Sequence, residues 1–158
     1  MSTHSARISW QQRPGDQFTA SRYSRSHHWS FDGGLEIPAS ASPDLVRPPW
    51  SDPAAIDPEE AFVASLASCH MLWFLGLAAE QGFSVASYVD DAAGTLGRNA
   101  AGRLAITAVT LAPRVRFSND TRPTEAEFMA LHHLAHERCF LAASVTSVVT
   151  CVPAMDTA

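Results

Sequence analysis

The chain has 158 residues with a formal net charge of -5, and its residues are 46% hydrophobic and 17% charged. A chain of this length buries roughly two-thirds of the surface that its unfolded form exposes, which suffices for one domain with an apolar core. The basic residues form no cluster of the kind that attracts nucleic acid or an anionic membrane surface. Composition and charge therefore predict an ordinary globular domain and argue against both of those partners.

The N-terminal residues 1–16 are polar and lack the apolar stretch and cleavage site of a secretory signal. We therefore expect a cytoplasmic protein in which residues 1–16 form a loose arm or an incomplete first strand. Residues 61–79 are apolar and long enough to cross a bilayer, but Ser65, Ser68 and His70 interrupt them and no second span follows. This pattern predicts a buried core helix.

The first third of the chain favours extended structure followed by a loop. Residues 18–31 read as a strand with alternate side chains on one face, among them Arg25. A hairpin turn at Asp32-Gly33 then leads to a short return strand over residues 35–38. Four prolines within residues 39–57 exclude a helix or a central strand and predict a long ordered loop.

A long helix follows this loop. Asp57 caps it, Pro58 suits its first turn, and Glu60 completes a capping box. The helical pattern continues to about Gln81, where Gly82 ends it. Because apolar residues occur on nearly every side, we expect the helix to be covered nearly all round and to form the hydrophobic axis of the fold.

The rest of the chain alternates strands with one more helix. Residues 88–96 and 103–117 read as strands joined by a turn, with a phase shift inside the second. A capping box at Thr124 opens a helix that runs to about Arg138, and residues 143–152 alternate as a closing strand. No repeat or linker interrupts the order, which predicts a single α+β domain over residues 1–158.

The three cysteines form no Cys-x-x-Cys pair and cannot all pair within one chain, which argues against a secreted disulfide scaffold. Cys69 lies in the middle of the long helix, where a free cysteine is often a plain core residue. Cys139 follows the second helix. Cys151 alternates with Val145 and Val149 on the closing strand, a pattern that indicates packing.

The sequence resembles the OsmC/Ohr family of osmotically induced and organic hydroperoxide resistance proteins. The resemblance rests on three features: Asp57-Pro58-Glu59-Glu60 with Glu59 ten residues before Cys69, the apolar helix of residues 62–73, and Cys139 followed by Ser144-Val145. It extends from about Phe18 to near the C-terminus, and one departure is Ala143, where many members have Asn. The resemblance implies an OsmC-like fold in which antiparallel sheets pack around a long central helix in an intertwined homodimer.

The resemblance also implies a thiol-dependent hydroperoxide reductase, a peroxiredoxin-like oxidoreductase. In this interpretation Cys69 attacks the peroxide and becomes a sulfenic acid, and Cys139 converts it into a disulfide. An external dithiol or lipoyl-type reductant then resets the enzyme, without a bound cofactor or metal.

An arginine completes the site that the resemblance implies. A thiol with the reference pKa of about 8.5 is only about 3% ionised at neutral pH, so the attacking sulfur needs a nearby cation. We expect Arg25 to be that cation, with Arg22 and Arg47 as alternatives, and Glu59 to orient the guanidinium. Ten helical residues place Glu59 roughly 15 Å from Cys69, so we expect Arg25 and Cys69 of one site to come from different chains. Without the resemblance, Arg25 reads as a solvated strand residue and Glu59 as an acid favoured by the helix dipole.

Apolar residues around the cysteines favour organic hydroperoxides over hydrogen peroxide as substrates; these are Phe62, Leu66, Trp73, Phe140 and Trp50. Two other functions stay open. One is zinc binding by His132, His136 and Cys139, which share a helical face, with Cys69 as fourth ligand. The other is a non-catalytic redox sensor or ligand carrier on the same scaffold. The remaining histidines, including His70, have no evident partner in the sequence.

Overall fold

A computed structural model describes residues 1–118 and 121–156 of the chain. The described residues form an α+β structure, as the sequence predicts, with two α-helices and three small β-sheets. By its internal contacts the chain divides into two compact units, residues 1–61 and 62–158.

The first unit contains a three-stranded antiparallel sheet of β1 (Ala6–Ser9), β2 (His27–Phe31) and β3 (Glu36–Ala39), with β2 in the centre. The predicted hairpin between β2 and β3 is confirmed, with Gly34 at φ 83 in its turn. Since β1 pairs with β2, the described N-terminal segment supplies a strand, the second of the two alternatives for residues 1–16.

The predicted strand over residues 18–31 is too long, because only its last five residues are extended. Residues 18–20 form a short 3-10 helix instead. The rings of Trp10, Phe18 and Tyr23 cluster there, with centroids 4.5–5.7 Å apart. Packing of these three aromatic side chains therefore outweighs the alternating pattern in this segment, and Arg25 lies before the strand.

The long loop after β3 and the capped start of α1 (Pro58–Glu80) are confirmed. Backbone hydrogen bonds order the loop, among them Ser40 N–H to the Ile56 carbonyl at 3.0 Å. In the capping box, Glu60 N–H donates to Asp57 Oδ1 at 2.7 Å and Asp57 N–H donates to Glu60 Oε2 at 3.1 Å. At the other end, Gly82 has the left-handed φ of 80 that the stop signal predicts.

The second unit contains two further sheets and α2 (Glu125–Arg138), whose predicted capping box at Thr124 is present. One sheet has the order β4-β7-β9 and the other β5-β6-β8. The strands are β4 (Val85–Asp90), β5 (Ala93–Arg98), β6 (Leu104–Leu111), β7 (Pro113–Phe117), β8 (Val148–Cys151) and β9 (Ala154–Met155). Because β8 lies parallel to β6 and β9 lies parallel to β7, both sheets are mixed rather than purely antiparallel.

The second unit contains six strands where the sequence predicts three, and the predicted strand over residues 103–117 is interrupted. At the predicted phase shift, Ala112 separates β6 from β7 and its N–H donates to Asp90 Oδ1 at 2.7 Å. The closing strand is shorter than predicted, because residues 142–144 form a 3-10 helix.

Two apolar clusters form the core of the second unit, and α1 contributes to both. Its C-terminal half packs with β7 and α2, and its N-terminal half packs with β6. The prediction that α1 is covered nearly all round is wrong for the single chain. Ser65, Ser68, Leu72 and Gly76 form an exposed stripe along the helix, and Leu72 is 63% exposed.

Candidate active site

The second unit brings together Cys69 and Cys139, which lie about seventy residues apart in sequence. Cys69 is buried in the middle of α1, and Cys139 is the buried residue that caps the C-terminus of α2. Both are free thiols. Their thiols are close enough to interact, and Cys69 is among the causes that raise the pKa of Cys139. The structure therefore places the two predicted redox sulfurs side by side.

The surroundings of Cys139 favour its protonated form. Burial, followed by the hydrogen bond with Cys69, raises the pKa of Cys139 to about 11. The backbone N–H of Ala142 donates to its Sγ at 3.4 Å and opposes this shift only in part. At neutral pH Cys139 is thus a thiol, which suits a group that reacts after an initial attack by another sulfur.

An apolar groove of about 580 Å³ opens beside Cys69. Its lining comes from α1 and from the residues after α2: Ser65, Ser68, Cys69, Leu72, Trp73, Gly76, Leu77, Glu80, Phe140 and Leu141. Trp73 and Phe140 line it as expected from the sequence, whereas Phe62 and Leu66 pack into the core. The guanidinium of Arg138 lies 5.8 Å from the ring centroid of Trp73. The groove is suited to bind an apolar molecule next to the sulfur of Cys69.

Arg25 lies in the first unit, where its guanidinium is held by neighbouring residues. Its Nη1 donates to the carbonyls of Ser21 at 3.1 Å and Tyr23 at 2.6 Å, and the guanidinium carbon lies 3.7 Å from the centroid of the Tyr23 ring. The alternatives Arg22 and Arg47 are exposed. Among the residues described in this single chain, none of the three arginines forms an ion pair.

Glu59, in the first turn of α1, also belongs to the first unit. Its Oε2 is buried and has no hydrogen-bond partner among the described residues of the chain. A buried carboxylate oxygen normally has a donor, so this one is free to accept a further hydrogen bond. The structure thus pairs the two cysteines but does not pair Arg25 with Glu59 within one chain.

The zinc set that the sequence suggested is not the set that the structure assembles. His132 lies beside His70 and Cys151, with His70 Nε2 and His132 Nδ1 at 3.0 Å. His136, Cys139 and Cys69 are outside this group. The interpretation of His70 as a histidine without a partner is therefore wrong, and the sulfur of Cys151 has polar contacts besides its packing. The alternating pattern of the closing strand could not predict this cluster, because the position of Cys151 depends on the parallel pairing of β8 with β6.

The fold and the cysteine pair together define an α+β protein with two neighbouring buried thiols beside an apolar groove. The sequence model of the family described as OsmC-like protein matches residues 51–152, and the chain belongs to this family. A search of curated proteins finds no significant match.

Solved structures of similar proteins cover the whole chain. An OsmC-like protein of unknown function from Vibrio cholerae is 50% identical, with a TM-score of 0.95 over 97% of this chain and 99% of that one. An organic hydroperoxide resistance protein from Elizabethkingia anophelis has the same fold at 16% identity, with a TM-score of 0.69 over 100% and 98% of the two chains. The organic hydroperoxide resistance protein OhrB of Bacillus subtilis is 17% identical, with a TM-score of 0.57 over 96% and 98%.

These comparisons bear on the apolar helix. Among the described residues, α1 is the one helix long and apolar enough to cross a membrane, and 33% of its most apolar 18-residue stretch is buried. The core helix of a soluble protein has the same length and composition. Membership of the OsmC-like family favours this second interpretation.

Proposed function

We propose that this chain is a thiol-dependent peroxidase that reduces hydroperoxides through Cys69 and Cys139. The observation that carries the proposal is the contact between these two free, buried thiols at an apolar groove. Membership of the OsmC-like family supports a redox or peroxide-related role, and two proteins of the same fold are named for organic hydroperoxide resistance.

The cycle begins at Cys69. Its thiolate attacks the outer oxygen of the hydroperoxide, the O–O bond breaks, and the leaving oxygen takes a proton to become an alcohol, or water when the substrate is hydrogen peroxide. Cys69 is now a sulfenic acid. The Cys139 thiol displaces its hydroxyl as water and forms a disulfide with Cys69. An external dithiol, including one of lipoyl type, reduces this disulfide and is itself oxidised to a disulfide.

The roles of the two sulfurs follow from their surroundings. Cys69 lines the groove and is reached from it, whereas Cys139 does not line it. The raised pKa of Cys139 keeps its proton in place until Cys69 has been oxidised. Because the groove wall is mostly apolar, with Leu72, Trp73 and Phe140 among its residues, it favours an organic hydroperoxide over hydrogen peroxide.

Arg25 is the proposed partner of the attacking thiolate. Its Nη1 is bound to two carbonyls and its plane rests on Tyr23, which fixes the guanidinium in advance. A guanidinium has five N–H groups, so three donors are left for the sulfur, the peroxide and a carboxylate. The partnerless Oε2 of Glu59 is the carboxylate oxygen that would receive one of them.

A homodimer supplies what the single chain lacks. The exposed stripe of α1 is made of small and apolar residues along a groove that includes the exposed Phe140. Small residues let a second helix approach closely, and the exposed Leu72 and Phe140 present apolar surface that a partner would remove from water. We therefore propose that a second copy of the chain covers this stripe and that Arg25 of one copy serves Cys69 of the other.

The remaining partners follow from the chemistry. Three free cysteines and a dithiol reductant suit the reducing cytoplasm, which is the proposed location. Nucleic acid and membranes are not expected as partners, because the chain is acidic overall.

The test is a stopped-flow experiment with reduced protein and either cumene hydroperoxide or hydrogen peroxide, with and without an excess of dithiol. Cys69→Ser is expected to abolish peroxide consumption. Cys139→Ser is expected to consume about one equivalent per chain and then stall, because the sulfenic acid has no internal thiol to react with. Mass spectrometry should find a Cys69 to Cys139 disulfide in the wild type and a dimedone adduct of Cys69 in Cys139→Ser.

Thr150→Ser, on the exposed side of β8, is the control for a mild change at a distant strand and is expected to behave as wild type. Full turnover by Cys69→Ser, or an oxidised wild type whose disulfide involves Cys151, would contradict the proposal.

A further inference from the structure

A second polar group lies inside the second unit, apart from the cysteine pair. It consists of His70 on α1, His132 on α2 and Cys151 at the end of β8. His70 Nε2 lies 3.0 Å from His132 Nδ1, and Cys151 Sγ lies 3.6 Å and 3.8 Å from these two nitrogens. Three elements distant in sequence therefore bring two nitrogens and a sulfur within 4 Å of one another.

The two imidazoles are deeply buried and rigidly placed. His70 is 1% exposed and His132 is 2% exposed. The ring of His132 stacks on Phe74, with centroids 4.1 Å apart and planes at 20°. Burial lowers the pKa of His70 to about 4 and the pKa of His132 to about 3. Both rings are thus neutral at physiological pH, the form in which histidine binds metals.

A plain hydrogen-bonded histidine pair does not satisfy this group. The outer nitrogens, His70 Nδ1 and His132 Nε2, are buried without a partner in the described part of the chain. The Tyr88 hydroxyl and Asp90 Oδ2 are also buried without partners there. Each such atom costs about 1–3 kcal/mol, so a core built only for packing would not be expected to collect four of them.

We propose that His70 Nε2, His132 Nδ1 and Cys151 Sγ form a metal site for a zinc ion, with a fourth position open to water or another ligand. Around tetrahedral zinc, Zn–N bonds of about 2.05 Å and Zn–S bonds of about 2.3 Å place two nitrogens about 3.3 Å apart and a nitrogen and a sulfur about 3.6 Å apart. The three distances in the chain deviate from these values by about 0.3 Å or less. The two ring centroids lie 5.3 Å apart with planes at 8°, so the inner nitrogens now point at each other, and an ion fits once both rings rotate toward it.

The binding step releases one proton. Burial, with Asp90 nearby, raises the pKa of Cys151 to about 12, so the metal replaces the thiol proton as the Zn–S bond forms. Zinc on the inner nitrogens leaves N–H groups on the outer ones. Two buried oxygens of the second unit, Asp90 Oδ2 and the Tyr88 hydroxyl, have no partner among the described residues. They are suited to accept hydrogen bonds from these outer N–H groups, directly or through water.

The site is independent of the peroxidase pair. It differs from the expectation of a protein without a metal, and it differs from the zinc set of His132, His136, Cys139 and Cys69 weighed from the sequence. It shares only His132 with that set. Because Cys151 is partly exposed while both histidines are buried, an ion would enter from the Cys151 side.

The test uses the full chain, purified without a histidine tag and freed of metal by a chelator, and titrates it with Co²⁺. One Co²⁺ per chain is expected to bind, with a sulfur-to-cobalt charge-transfer band and intense tetrahedral absorption, and Zn²⁺ should displace it. Cys151→Ser should lose the charge-transfer band, and His132→Gln should weaken binding by at least about tenfold. The melting temperature should rise with Zn²⁺ in the wild type but not in Cys151→Ser.

The matched control is the double variant Cys69→Ser and Cys139→Ser, which keeps the band if Cys151 is the sulfur ligand. Circular dichroism checks that each variant is folded. A band that survives in Cys151→Ser but disappears in the double variant would overturn the proposal, as would a wild type that binds no Co²⁺. Neither outcome affects the peroxide test, so the two proposals fail separately.

Discussion

Among single residues, Cys139 is expected to make the folding stability depend on pH in a way that can be measured. Its pKa in the folded chain is raised to about 11 from the ordinary 9.0, so folding favours the protonated thiol. The stability that depends on this proton is fully present below about pH 9 and is lost as the pH rises toward 11. In urea unfolding under reducing conditions, the wild type should therefore lose roughly 1–2 kcal/mol more than Cys139→Ser between pH 8 and 10.5.

The chain is favourable for this measurement because it contains no lysine: all eleven basic residues are arginines, which keep their charge over this range. Groups that titrate in both proteins and lie away from residue 139 cancel in the difference. Thr150→Ser should show the wild-type dependence. Parallel pH profiles for the wild type and Cys139→Ser would show that Cys139 is not protonated preferentially in the folded state.

Residues whose roles depend on local sequence were predictable, and residues whose roles depend on tertiary contact were not. Cys69 and Cys139 could be singled out as candidates because a family pattern surrounds each of them. His70 could not, because its partners His132 and Cys151 reach it from α2 and β8. The contacts that hold the Arg25 guanidinium are local, since Ser21 and Tyr23 lie within four residues, but the alternating pattern assigned this segment to a strand and so did not predict them.

At the scale of elements, the exposed stripe of α1 is where we propose that a second copy of the chain binds. Leu72 is 63% exposed in the single chain, so Leu72→Glu should fold with unchanged helix content. In a dimer the same substitution would bury an unpaired carboxylate in an apolar contact, which costs several kcal/mol. We expect multi-angle light scattering to give a dimer for the wild type and a monomer for Leu72→Glu.

Leu104→Glu is the matched control, because Leu104 is 57% exposed at the start of β6 and does not line the groove. It should remain a dimer. A monomeric wild type would contradict the homodimer, and a monomeric species with full peroxidase activity would contradict a site shared between chains.

The helices were predicted well and the strands less well, for physical reasons. Both helices begin at capping boxes whose hydrogen bonds lie within four residues, so their signals are local. Strands depend on partners elsewhere in the chain. The break at Ala112 depends on a hydrogen bond to Asp90, and β8 is defined by its parallel pairing with β6. The exposed stripe of α1 escaped prediction because apolar residues look alike in a core and at a contact between chains.

For the whole molecule, the decisive question is whether one reaction centre takes residues from two chains. The two units of the chain separate the candidates: Arg25 and Glu59 belong to residues 1–61, and the cysteine pair belongs to residues 62–158. A twofold dimer repeats every contact between chains twice, so a shared site would occur two times in each dimer. Heterodimers of inactive variants can therefore reveal which chain provides each residue.

The prediction concerns a heterodimer of Arg25→Ala with Cys69→Ser, isolated through two different affinity tags other than polyhistidine. If Arg25 serves the cysteine of the other chain, one of the two sites combines an intact Cys69 with an intact Arg25, and about half of the wild-type activity returns. If Arg25 serves its own chain, both sites lack a residue and no activity returns.

The control heterodimer pairs the wild type with the double variant Arg25→Ala and Cys69→Ser. This control should be inactive if Arg25 serves the other chain and half active if Arg25 serves its own chain. The two heterodimers must therefore give opposite results. Half activity in the control alone would show that the site lies within one chain.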